Sequence, residues 1–108
     1  MRIIDLIEYL LEPKRLPELL DKFNINEESE AILIYMKDAL DIHSEISLFE
    51  IEETEDDLYF TKDNVQYIQL FPVDYAIDLI ESDLYLKAKG FSMEEIGKRL
   101  LEYRLRDA

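Results

Sequence analysis

The chain has 108 residues, 48% of them apolar, and a formal net charge of −14. That length is one domain's and that apolar share fills one core, so neither a multidomain layout nor wholesale disorder is expected. With no Cys, two Gly, three Pro and no apolar run near the roughly 20 residues of a bilayer span, the chain offers no disulfide frame, thiolate metal site, long linker or membrane helix.

The charge is unevenly placed. Residues 26–63 hold 13 acidic and two basic residues, a balance of −11, so the middle third carries most of the negative field. Such a surface repels nucleic acid and anionic membrane and speeds encounter with basic partners. Acidity also keeps a protein soluble, so charge by itself does not name a partner.

In chain order, Ile3, Leu6, Ile7, Leu10 and Leu11 form a stripe at helical spacing, which predicts a first helix over Ile3–Glu12. Asp5 and Glu8 interrupt the apolar stretch and no small-residue cleavage site follows, so it reads as a domain helix and not a signal peptide, in a cytoplasmic protein. Pro13 ends it. Pro17 suits the first position of a second helix over Pro17–Phe23, with Leu16, Leu19, Leu20 and Phe23 apolar. Asn26 then reads as the N-cap of a third helix to about Leu40, with Glu27, Glu28 and Glu30 in its first turn.

Asp41–Glu45 is a loop holding the only His, His43. Ile46–Ile51 reads as a strand, Glu52–Asp57 as an acidic turn and Leu58–Thr61 as a second strand. Lys62-Asp63-Asn64 is a hairpin turn into a third strand, Val65–Phe71. That strand is apolar on both faces, which marks a central position. Pro72 opens a fourth helix to Lys89, striped by Val73, Ala76, Ile77, Ile80 and Leu84. Gly90 is a C-cap, and Ser92 with Glu95 a capping box opening a fifth helix to about Arg106. The expected fold is α+β: three helices, a three-stranded antiparallel meander, two helices.

The order helix, helix, tight turn, helix, hairpin over residues 1–71, with the segment LPELLDKFNIN, resembles a winged-helix DNA-binding domain. The resemblance implies that the helix after Asn26 reads bases and that Glu52–Asp57 is the wing tip. Recognition helices meet bases and phosphates through Arg, Lys, Asn or Gln. Here both elements are acidic, which implies a regulator whose body serves dimerisation or holds another protein. GFSMEEIGKRL, residues 90–100, resembles the turn and penultimate helix of the two-component and sigma-factor type helix-turn-helix. LEYRLRDA continues the same helix where that family turns into a base-reading one. A glycine stop and a capped amphipathic helix account for the same residues. Lys98, Arg99 and Arg106 each follow an acid by four, the spacing of intrahelical pairs.

Asp41, His43 and Glu45 would share one side of an extended chain and make a three-ligand set in principle. The carboxylates at Glu50, Glu52, Glu53, Glu55, Asp56 and Asp57 lack the Asp-x-Asp-x-Asp-Gly spacing of a calcium loop. There is no Gly-rich phosphate loop and no Ser-His-Asp order. The expectation is therefore a non-enzymatic module with no cofactor and no metal, and with no nucleic acid or membrane among its partners. Its partner would be a basic protein surface, met by Glu50, Glu52, Glu53, Glu55, Asp56, Asp57 and Tyr59, with Glu27–Glu30 as a second acidic group. Tyr beside acid suits the grip of Arg or Lys. Small acidic inhibitors and toxin-immunity proteins share this size and charge. The apolar surplus of the third and fourth helices also points to a homodimer.

Overall fold

In the computed structural model, which describes residues 1–26, 28–83 and 90–107, the chain is organised on a four-stranded antiparallel sheet. Its strands are β1 (Ile32–Lys37), β2 (Ile46–Glu50), β3 (Tyr59–Lys62) and β4 (Val65–Pro72), lying in the order β2-β1-β4-β3. The α-helices among the described residues are α1 (Ile3–Leu11), α2 (Leu16–Lys22), α3 (Ile51–Thr54), α4 (Val73–Asp78) and α5 (Met93–Asp107). The fold is α+β.

Several elements form where local chemistry places them. In α1 the buried residues Ile3, Leu6, Ile7 and Leu10 belong to the sequence stripe, and the Asp5 carboxylate accepts the Arg2 N–H at the helix start (3.0 Å). Pro13 stops α1, and a 3₁₀ turn, Pro13–Arg15, leads into α2. The β3–β4 hairpin turns at Asp63 and Asn64, with φ of 52° and 65°. A two-residue turn with both central φ positive matches the twist of its strands, and Asp and Asn tolerate that region. Gly90 has φ of 72°. The Glu95 N–H bonds Ser92 Oγ (3.2 Å) at the start of α5. Gly97 lets α5 lie close to α1, since a Cβ there would sit 3.2 Å from Ile3 Cγ2 and Ile42 Cδ1.

The expected third helix over Asn26–Leu40 is not formed. Residues 28–31 are irregular and Ile32–Lys37 is β1. β1 lies between β2 and β4, and Leu33, Ile34, Tyr35 and Met36 are all fully buried, on alternating faces. A strand covered on both sides carries a continuous apolar run, which periodicity cannot tell from a buried helix. This one strand changes the topology. The expected meander is broken, because β2 pairs β1 and not β3. The winged-helix reading of residues 1–71 fails with it, since a strand stands where the recognition helix would be. The supposed wing tip is α3 followed by a loop. The apolar surplus assigned to a third helix is used inside one chain, so it no longer argues for a homodimer.

β4 is central, paired to β1 and β3. The register passes from Ile34↔Phe71 to Tyr35↔Gln69, which leaves Leu70 as an extra residue in a β-bulge. Phe71 thereby joins Leu70 on the helix-covered face, and strict alternation with Tyr67 and Gln69 is lost. Arg104 Nε donates to the Gln69 carbonyl beside the bulge (3.2 Å). The fourth helix begins as expected, but α4 ends at Asp78 and Leu79–Asp83 form a π-helical turn. Its expected continuation over 84–89 lies outside the described residues.

The two sheet faces differ. One packs Ile34, Met36, Ile46, Leu48, Leu70 and Phe71 against α1, α2, α4 and α5 in the main core. The other carries a smaller cluster built on Leu33, Tyr35 and Phe49, with Ile51, Phe60 and Tyr67 packed against it. No helix among the described residues is long and apolar enough to cross a membrane.

Candidate functional site

The acidic segment Glu50–Asp57 runs over the second face. β2 ends at Glu50, α3 follows at once, and the chain leaves α3 through Glu55 and Asp56, both left-handed (φ 54° and 61°). Side chains other than Gly reach that region at a cost, so something must hold the loop. Tyr35 and Gln69 do so from beneath. The Tyr35 hydroxyl donates to the Asp57 carbonyl (2.5 Å), and Gln69 Nε2 donates to the Asp56 carboxylate (2.9 Å) and to the Tyr35 hydroxyl (3.3 Å). Tyr35 is fully buried and Gln69 nearly so, which makes these bonds costly to break. Thr54, also buried, accepts the Asp56 N–H on its hydroxyl (3.3 Å).

The carboxylates of the segment divide into two groups. Glu50 accepts the Asn26 N–H (3.0 Å). Glu52 accepts the Ser29 hydroxyl (2.5 Å) and the Glu30 N–H (3.1 Å), tying the 28–31 loop to α3. The Ser29 hydroxyl bond, more than any other cause, holds the Glu52 carboxyl below its usual range, with the Glu30 N–H adding to it. Glu53 pairs with Lys62 (2.6 Å), and this contact raises the Lys62 ammonium above its usual range. Asp56 is held by Gln69. Glu55 and the Asp57 carboxylate are exposed.

Among the described residues, Glu53 is therefore the one carboxylate of the segment that meets a cation. The bonds to Glu50, Glu52 and Asp56 come from neutral N–H and O–H groups, which fix those carboxylates without cancelling their charge. Next to them in sequence, Leu58 and Tyr59 are 53% and 64% exposed, at the outer edge of the sheet. Tyr59 is legible from the sequence as a candidate; Leu58 reads as a strand residue, and no sequence signal marks its exposure. Glu27 lies outside the described residues. Glu28 and Glu30 are exposed, with the Glu28 N–H on the Asn26 side chain (2.9 Å).

On the flank of the segment nearer the β3–β4 turn is a cavity of about 260 Å³, lined by Phe49, Glu50, Glu53, Lys62, Asp63 and Tyr67, and by the Phe23–Ile25 turn. Phe49 and Tyr67 meet edge to face (5.0 Å between centroids), and Lys62 Nζ lies 5.5 Å from the Phe49 ring centre. Sequence reasoning missed Lys62, Phe49 and Tyr67 as partners of the acidic segment. The His43 loop closes on itself, with Asp41 accepting the His43 N–H (2.8 Å). Among the described residues no three His, Asp or Glu side chains are grouped to hold a metal ion.

The chain matches no family model, no curated protein and no solved structure.

Proposed function

We propose that this protein is a small non-enzymatic binding module, inhibitor-like in its action, that docks a basic protein surface on Glu50–Asp57 with Leu58 and Tyr59. The observation that carries this reading is the pairing of two exposed apolar side chains with an acidic loop that buried Tyr35 and Gln69 hold in place. An aromatic anchor at the start of a paired strand gives contact area at little ordering cost. The surrounding carboxylates, five of six without a cation among the described residues, steer a positive partner toward it. Binding would then cover a basic active or nucleic-acid-binding surface of that partner.

The test compares immobilised wild-type protein with a Glu55→Lys/Asp57→Lys variant and a Tyr59→Ala variant in lysate of the native host. Both changes keep the Tyr35 and Gln69 side chains, the Asp57 carbonyl and Lys62, and a dispersed amide spectrum of each variant shows that it has folded. The expected result is a basic protein retained by the wild type at low salt, lost on charge reversal and weakened by Tyr59→Ala. A retained set that is the same on all three, or that is acidic, would overturn the proposal.

A further inference from the structure

The cavity beside the acidic segment has a cation in its wall, and the cation is the protein's own. Lys62 Nζ sits 2.6 Å from Glu53 and 5.5 Å from the centre of the Phe49 ring. Its walls combine the faces and edges of Phe49 and Tyr67 with Glu50, Glu53 and Asp63, three carboxylates against one ammonium. Ring faces and carboxylates together favour a planar, delocalised cation that stacks and donates several hydrogen bonds at once. The free volume beside Lys62, about 260 Å³, falls below the about 300–1,000 Å³ typical of sites for drug-sized ligands and suits one long side chain. Lys62 is half exposed, so it can swing out to solvent when a better cation arrives.

We infer that this cavity receives an arginine side chain of the basic partner, and that Lys62 occupies the seat until the arginine displaces it. The inference rests on the partner reading above but uses different residues. Glu55, Asp57, Leu58 and Tyr59 would set encounter and the hydrophobic anchor, while Glu53, Phe49 and Tyr67 would choose arginine. Lys62 then acts as a built-in competitor that favours partners able to bring a guanidinium.

The experiment titrates the intact protein with N-acetyl-arginine amide and follows the ring-proton resonances of Phe49 and Tyr67. The neutral isostere N-acetyl-citrulline amide is the control. Lys62→Met keeps the stem and removes the charge, and should tighten arginine-amide binding roughly tenfold, since the resident cation no longer competes or repels. Adding Glu53→Gln should abolish that gain. A dispersed amide spectrum for each variant shows that it has folded. The inference is overturned if Lys62→Met binds the probe no better than wild type. It is also overturned if citrulline amide moves the same ring signals as far, or if the arginine probe leaves both rings unmoved. Such a failure leaves the lysate comparison of Glu55, Asp57 and Tyr59 variants intact, so the two readings fail separately.

Discussion

Against the helices, the sheet buries 20 described residues in one cluster, nearly all aliphatic, drawn from α1, α2, α4, the π-helical turn after it, α5 and three strands. On its other side the buried hydrophobic residues among those described are Leu33, Tyr35 and Phe49. There four aromatic rings, Tyr35, Phe49, Phe60 and Tyr67, meet at 5.0–6.2 Å, and an acidic loop pinned by two buried polar side chains completes the cover. The first face is held by apolar area, which is non-directional and tolerant of detail. The second depends on a few directional bonds, which place a charged loop in one position. A small protein gains its stability from the first kind of surface and a defined presenting surface from the second.

The largest effect should come from the helix side. Leu6→Ala or Ile34→Ala, both at fully buried positions, should cost about 2–5 kcal/mol. Chemical denaturation should show the loss with all elements unfolding together. If instead only α1 loosened, the helix face would not be one cooperative core.

Tyr35→Phe tests the other face. It removes the donor to the Asp57 carbonyl and the acceptor for Gln69, at a cost of about 1–3 kcal/mol. Amide exchange should quicken at Asp57 and Gln69, whose N–H groups bond the Thr54 and Leu58 carbonyls, while α1 amides keep their relative protection. Uniform acceleration would mean that the loop is not held separately.

Asn64→Gly should stabilise by about 0.5 kcal/mol, because Gly takes the positive φ of the hairpin turn without a side-chain penalty. The midpoint of thermal unfolding reads this change.

The smallest effect is a pH dependence. Glu52 has a folded-state pKa below its ordinary value of 4.5, so the unfolded chain binds its proton first as pH falls. The stability it lends is complete above that value and is lost as pH drops through the lowered folded value. Wild type should therefore lose its advantage over Glu52→Gln below about pH 4.5, in acid titrations followed by circular dichroism. A difference between the two that stayed constant through this range would contradict the Ser29–Glu52 bond.

What could be read beforehand follows the same division. The β4–α4 joint was legible, although β4 is apolar on both faces, because the turn at Asp63-Asn64 and Pro72 bound a run of strand length before a helical stripe begins. The β3–β4 hairpin was legible because Asp63-Asn64 suits a turn with positive φ, and α5 because Ser92 and Glu95 mark its start. β1 was not, because burial on both faces erases the alternation that identifies a strand. The acidic segment stood out by composition, yet its internal order did not. The Tyr35–Asp57 bond joins residues 22 apart and Glu53–Lys62 crosses from α3 to β3, and neither leaves a local pattern. Counting acids could not tell which of them hold the fold and which face outward.

The central claim is that uncancelled carboxylates beside Tyr59 guide a basic partner into place. The most direct measurement is the association rate of the captured partner, by stopped flow, as salt rises from about 0.01 M to 0.15 M, over which screening shortens from about 30 Å to 8 Å. The account predicts a fall of about tenfold or more for wild type and a much flatter response for Glu55→Lys/Asp57→Lys, with dissociation little changed. An association rate indifferent to salt, or equally salt-dependent in both proteins, would contradict it.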